Sequence, residues 1–205
     1  MSIACTHPGR AAASPTQTAA RENFSDEALI KRIAAADRLA MQTLFARHRV
    51  AVYRWLLRLV NEEALAEDLL SEVFLDVWRQ AASFEARASV STWLLAIARY
   101  KALSARRRRT DVEWDDDLAL SVADPADGPD SVLEKKARAE LVRQCLARLS
   151  PEHGEVIDLV YYHEKSVGEV ARIVGIPEAT VKTRMFYARK KLAELVAGAQ
   201  HMHLG

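Results

Sequence analysis

The stretch SVGEVARIVGIPEATVKTRMFYARKKL, Ser166 to Leu192, decides how this chain reads. Ser166 with Glu169 three residues on forms a capping box, in which hydroxyl and carboxylate satisfy two backbone donors that a helix start leaves orphaned. Ala171 is small where two helices approach each other. Gly175 supplies the backbone freedom of a sharp inter-helix turn, and Pro177 suits the first turn of the helix that follows. Along that second helix Val181, Met185, Ala188, Leu192 and Leu195 recur at helical spacing and form one apolar face. The other face carries Lys182, Thr183, Arg184, Phe186, Tyr187, Arg189, Lys190 and Lys191, which offer cations, a hydroxyl and aromatic rings to phosphates and base edges. An ordinary solvated face is the bland alternative. The coincidence of capping box, small residue, glycine and proline favours a helix-turn-helix that presents its second helix to DNA.

Composition bounds the remainder. A chain of 205 residues, half of them hydrophobic, accommodates one or two domains with real cores. The formal net charge is only +1, so any basic surface is local and balanced by acid elsewhere. Cys5 and Cys145 lie far apart without CxxC or CxxH spacing, which argues against a disulfide framework or a zinc site and for a reduced, cytoplasmic setting. No apolar run reaches membrane-spanning length, and the N-terminal stretch lacks the apolar core of a signal peptide, so no membrane insertion or export is expected.

Outward from the helix-turn-helix the chain divides into segments. Residues 1–23 are rich in Ala, Thr, Ser and Pro without periodicity and read as a disordered tail. Residues 24–109 are helical throughout. One helix, capped by Ser25, reaches about Ala36; a longer one carries Leu39 to Leu59; a third spans about Glu62 to Ala82, and a fourth about Val90 to Arg109. Residues 110–130, TDVEWDDDLALSVADPADGPD, combine acids with Pro and Gly and read as an acidic, flexible linker. Helical periodicity resumes at Ser131, where Ser131 and Glu134 form another capping box. Together with a helix from Glu152 to about His163 and the helix-turn-helix, it makes a second unit over residues 131–198, followed by a tail at 199–205. The predicted fold class is all-α, two small helical domains joined by the acidic linker.

Two helices of the first domain carry further information. In ALAEDLLSEVFLDVW, residues 64–78, a broad apolar arc stands beside Asp68, Glu72 and Asp76, which repel one another at i, i+4, i+8. That stripe is either a solvated face or a docking surface on which a basic partner relieves the repulsion. In STWLLAIARYKALSARRRR, residues 91–109, Trp93 and Tyr100 accompany Arg99, Lys101 and the run Arg106 to Arg109. Phosphates want the cations and unstacked bases want the rings, although Trp93 suits a core position equally well. No Ser/His/Asp order, phosphate-binding glycine loop or metal constellation points to an enzyme, and no cofactor or metal is expected. His201 and His203 suit a terminal tail, and Cys145 sits in an apolar helical register as a structural thiol.

The order AEDLLSEVFLDVW, Phe84, STWLLAIARYKAL with a basic end, an acidic linker, then LSPEHGEVIDLVYYHEKSVGEVARIVGIPEATVKTRMFYARKKL resembles a bacterial sigma factor of the extracytoplasmic-function group. The resemblance covers about Ser25 to Val196, and the short linker leaves no room for the extra domain of primary sigma factors. It implies an alternative sigma factor that directs promoter-specific initiation while core RNA polymerase supplies the chemistry.

Asp68, Leu69, Glu72, Val73 and Asp76 would then dock on the clamp of the largest polymerase subunit, with the flap of the second largest as a further contact. Phe84, Ser89, Trp93, Arg99, Tyr100, Lys101, Arg106 and Arg107 correspond to the region that captures and opens the minus-ten element. Lys182, Thr183, Arg184, Phe186, Arg189 and Lys190 correspond to the helix that reads the minus-thirty-five duplex. The resemblance also implies an anti-sigma partner covering the polymerase-binding face. Two departures stand out: Tyr100 replaces the asparagine of a motif resembling IARN, and Tyr187 stands where several relatives have arginine. The alternatives are a sigma-like decoy that binds an anti-sigma protein, and a helix-turn-helix response regulator, whose first half would alternate strands and helices.

Overall fold

The computed structural model describes residues 25–110, 141, 142 and 144–202. The expected tail at 1–23, the acidic linker and the Ser131 capping box lie outside the described residues.

In α1 (Asp26–Ala34) Ser25 accepts from the Ala28 N–H at 3.2 Å, acids fill the first turn and Lys31 and Arg32 the last, the charge order a helix dipole favours. The helix stops two residues short of the expected end, because Ala36 turns the chain at φ 63°. Asp37 then caps α2 (Arg38–Val60), accepting from the N–H groups of Leu39 and Ala40 at 2.9 and 3.1 Å. Asn61 closes α2 in the left-handed region, a conformation asparagine tolerates. The third helix, α3 (Glu63–Gln80), tightens into a 3-10 turn at Ala81–Ser83, and a loop leads to α4 (Val90–Thr110). Ser89 caps α4 by accepting from the Thr92 N–H at 3.3 Å.

These four helices bury Leu44, Trp55, Leu56, Leu69, Val73, Val77 and Leu94, all at 1% exposure or less. Ala98, Ala102 and Ala105 on α4 are also buried, and their small side chains let the helix lie close to its neighbours. Leu69 and Val73, expected on the polymerase-docking face, are core residues at 1% and 0% exposure. They shape that face only by packing beneath it.

In the second unit Ser150 caps α5 (Pro151–Tyr161), with proline at the helix start, where its missing N–H costs nothing. The capping box of α6 (Val167–Val174) is complete, and Gly175 ends that helix at φ 73° with its N–H donating to the Ala171 carbonyl. The final helix, α7 (Glu178–Met202), continues into the segment expected as a tail. Val170, Ile173, Val174, Val181, Met185 and Ala188 bury the apolar faces of the helix-turn-helix, as the spacing predicts.

The two units share one apolar core: Val156, Leu159, Val170 and Ile173 are continuous with the buried residues of α1 to α4. Where the units meet, Trp55 donates its indole N–H to the Leu95 carbonyl at 3.2 Å and sets its ring edge-on to His163, with centroids 5.6 Å apart. Gly154 on α5 faces the Arg58 guanidinium so closely that any side chain there would displace it. Among the described residues, no helix is long and apolar enough to cross a membrane.

Candidate nucleic-acid interfaces

The recognition-helix face is open. With Val181, Met185 and Ala188 turned inward, Lys182, Thr183, Phe186, Arg189 and Lys190 are exposed along α7. Three of the expected readers have partners within the chain. Thr183 donates to the Ala179 carbonyl at 3.0 Å, Arg184 pairs with Glu152 at 3.1 Å, and the Arg189 guanidinium lies over the Tyr161 ring. Tyr161, Phe186 and Tyr187 are exposed aromatics on this unit, and Phe186 and Tyr187 meet edge to face at 5.4 Å. The face therefore offers cations and rings held on a rigid helix, the form in which a duplex groove is read.

The second interface is divided. Its far end is open: Tyr100 is 71% exposed, and Arg106 to Arg109 are exposed, with Arg109 paired to Glu62. Its near end is covered by the helix-turn-helix unit. Thr92 is 2% exposed and places its hydroxyl 2.7 Å from Glu169 Oε1, and Ser89 Oγ lies 3.0 Å from the same oxygen. Lys165 Nζ approaches Ser91 Oγ at 2.6 Å, and Arg99 forms a two-point pair with Glu155 at 2.5 and 3.3 Å. Burial pushes the Glu169 carboxyl up, but hydrogen bonds from Thr92, Ser166 and Ser89 outweigh it and bring the pKa down to about 2. Burial in the same seam lowers the Lys165 ammonium below its ordinary value.

Phe84 and Trp93 pack on each other, ring centroids 5.0 Å apart, and line a cleft of about 290 Å³ with Arg87 and Thr92. Arg172, from α6, lines the same cleft. The loop carrying Phe84 includes Ala86 at φ 55°, a strained position for a residue with a Cβ. Trp93 is half-buried, serving the cleft as well as the core.

On α3, Asp68 is exposed, while Glu72 and Asp76 share Lys101 at 3.2 and 2.8 Å. The hydrogen bond to Asp76 is the main reason the Lys101 ammonium is raised. One residue expected to meet DNA thus neutralises part of the stripe expected to meet polymerase. Sequence reasoning missed the seam residues Thr92, Glu155 and Lys165, and Glu169 was read only as a cap. The available signal was Glu155, an acid inside the apolar run of α5 and now buried at 8% exposure.

An all-helical bundle bearing an acidic helix and an aromatic-basic helix, followed by a helix-turn-helix, defines a two-part DNA-binding protein. Residues 44–112 match the family Sigma-70 region 2, and residues 139–192 match Sigma-70, region 4. The ECF RNA polymerase sigma factor SigL of Mycobacterium tuberculosis (strain H37Rv) is 31% identical over 169 residues, which span 80% of this chain and 93% of the relative. BldN of Streptomyces coelicolor, also an ECF RNA polymerase sigma factor, is 32% identical over 172 residues, 82% of this chain and 64% of the relative. Among solved structures, the sigma factor RpoE in complex with the anti-sigma factor NepR from Bartonella quintana superposes with a TM-score of 0.61 at 24% identity. That match covers 76% of this chain and 96% of the other. CnrH in complex with the cytosolic domain of CnrY gives the same TM-score at 22% identity, covering 84% and 97%. The chain belongs to the ECF RNA polymerase sigma factors, the class that directs polymerase to promoters. A response regulator is excluded by the region 2 match and the helical first half.

Proposed function

We propose that this chain, acting in the cytoplasm and performing no catalysis itself, docks on core RNA polymerase through α3 and reads a promoter at two places. The clamp of the largest subunit would meet Asp68 and the neighbouring rim of Glu72 and Asp76, with Leu69 and Val73 holding that rim from below. The flap of the second largest subunit would meet the helix-turn-helix unit. Phe84, Ser89, Trp93, Arg99, Tyr100, Lys101, Arg106 and Arg107 serve the minus-ten element, and Lys182, Thr183, Arg184, Phe186, Arg189 and Lys190 the minus-thirty-five element.

The observation that supports this best is the preformed face of α7, whose cations and aromatic ring point outward while Val181, Met185 and Ala188 anchor the helix. A thermally accessible opening of duplex needs compensation, and base stacking on aromatic groups contributes about 1–3 kcal/mol per base. Trp93 and Tyr100 are suited to that role. Each reader is weak alone. Held on one polymerase, the two act at high effective concentration, which suits a free chain with net charge of only +1.

An anti-sigma protein that covers α3 would keep the chain off polymerase. The solved complex of RpoE with the anti-sigma factor NepR supports such a partner here. The test is run-off transcription from fragments enriched by binding in cells, using purified chain and core polymerase. A specific transcript is expected only with both components, and its absence from every fragment would refute the assignment.

A further inference from the structure

We propose that Tyr161, on α5, is a positioning residue for the minus-thirty-five contact: its ring holds the Arg189 guanidinium, at full charge, toward a phosphate of the duplex. The inference rests on the reading of α7 as the duplex-reading helix and adds to it a residue from outside that helix.

Two arginines flank the inward face of α7, and α5 supplies a partner to each. At 3.6 residues per turn, Arg184 and Arg189 fall on opposite sides of the buried line through Val181, Met185 and Ala188. Glu152, in the first turn of α5, pairs with Arg184 at 3.1 Å. Tyr161, the last residue of α5, lies under Arg189, with 5.9 Å between the guanidinium carbon and the ring centroid.

The two partners do opposite things to a cation. A carboxylate fixes a guanidinium and cancels its charge, so Arg184 must give up Glu152 before it serves a phosphate in full. An aromatic face fixes it through the ring quadrupole, takes no N–H···O bond and leaves the charge in place. Among the described residues no carboxylate pairs with Arg189, so its donor fork stays available.

The surroundings point the same way. Lys182, Phe186 and Arg189 lie at i, i+4, i+7 and form one exposed stripe of α7: cation, ring, cation. Tyr161, 57% exposed, continues that stripe beyond the helix and contributes little to the core. On a groove-bound helix the outermost residues face base edges, while a flank residue such as Arg189 meets the backbone. Ordering this long side chain in advance spares that cost when the phosphate arrives.

The test titrates the full chain with a fluorescein-labelled duplex of mixed sequence, about 20 base pairs long, at several low salt concentrations, because a phosphate contact needs no particular promoter. Arg189→Ala is expected to weaken binding and to make the salt dependence shallower by about one counterion. Tyr161→Leu and Tyr161→Gln keep Arg189 but remove its ring. Each is expected to weaken binding about two- to fivefold, the range of an exposed cation–π contact. Tyr161→Phe keeps the ring and should restore the parent affinity. Combined with Arg189→Ala, the ringless variants should have no further effect. Thermal unfolding checks that each variant keeps its fold.

A loss that phenylalanine restores and that vanishes without Arg189 supports the positioning role. If Tyr161→Phe loses as much as Tyr161→Leu, the hydroxyl makes the contact and positioning by the ring is overturned. If the ringless variants bind like the parent, or lose affinity equally without Arg189, while Arg189→Ala weakens binding, the role of Tyr161 falls and the reading of α7 stands. If Arg189→Ala leaves both affinity and salt dependence unchanged, the assignment of Arg189 to the duplex falls together with the proposal.

Discussion

The two faces proposed to read DNA differ in how they wait for their substrate. The α7 face is exposed along Lys182, Phe186 and Lys190, with Arg184 paired to Glu152, whereas the start of α4 holds Thr92 at 2% exposure with its polar neighbours Ser89 and Arg99 engaged by acids from the other unit. The difference accords with what each face is proposed to read. A duplex groove is present before binding, and a rigid helix suits it. Unpaired bases exist only after opening, and of the groups suited to hold them Ser89 and Arg99 are engaged beforehand while Tyr100 stays exposed. On the proposed reading, covering the start of α4 while α7 stays open would let duplex contact come first and single-strand capture follow separation of the units.

The strongest challenge to that contrast is to remove its pivot. Trp55 is fully buried, hydrogen-bonded to Leu95 and edge-on to His163, at the point where the two units share their core. Trp55→Ala should destabilise the chain by about 3–5 kcal/mol, the usual cost of emptying so large a core site. Thermal unfolding checks the value. If the loss is spread across both units, the seam is part of one cooperative core; if α7 retains its helix while the first bundle melts, the covered state is a loose association.

Acid titration probes the covered face directly. Because the Glu169 pKa is depressed from 4.5 to about 2, the carboxylate adds stability above its ordinary pKa, and this is lost as pH falls from about 4.5 toward 2. The contribution is at most on the order of 3 kcal/mol by the conversion of pKa shift to free energy, and solvent screening at this part-exposed carboxylate reduces it. Comparing chemical unfolding of the chain with that of Glu169→Gln between pH 6 and 2 isolates it from the other acids. The gap between the two is expected to close in that window, and parallel curves would mean that Glu169 does not hold its seam contacts in solution.

The open face should respond in a different measure. Lys182→Ala removes an exposed cation with little effect on folding, so its unfolding free energy should stay within about 0.5 kcal/mol of the parent. Binding to minus-thirty-five duplex should weaken by about 1–3 kcal/mol if Lys182 reads a base edge. If it meets a phosphate instead, binding weakens on all sequences alike and the salt dependence becomes shallower by about one counterion. Electrophoretic shifts on cognate and scrambled duplexes at two salt concentrations separate these cases.

What could be read from the sequence divides along the same line. The helix-turn-helix was legible because its signals are local: the Ser166 to Glu169 box, the left-handed Gly175 and the spacing of Val181, Met185 and Ala188 all act within a few residues. The four-helix bundle was legible from periodicity, apart from ends set by Ala36 and by the 3-10 turn after Gln80. Helical spacing put Leu69 and Val73 in the apolar arc of α3, where they are core, and it was the family resemblance that grouped them with the acids as docking residues. The seam was not legible, because Thr92 and Glu169 lie far apart in the chain and only the packed structure joins them. The Lys101 pairs with Glu72 and Asp76 escaped for the same reason. Local chemistry announces itself, while pairings across elements depend on orientation.

The gentlest probe asks how firmly the covered face is held. Gly154 lies within α5, where alanine is favoured over glycine by about 1 kcal/mol, and its place opposite Arg58 is the structural reason for a glycine there. In Gly154→Ala the new methyl group must push aside the end of the Arg58 side chain, which is long and readily changes rotamer. The two effects oppose each other. Unfolding free energy is expected to change by less than about 1 kcal/mol, with no increase in the radius of gyration. A larger loss with expansion of the chain would show that the guanidinium is fixed in the seam and that its displacement drives the units apart. The covered face would then be a rigid lock, and its opening would require polymerase or promoter DNA to break the whole contact at once.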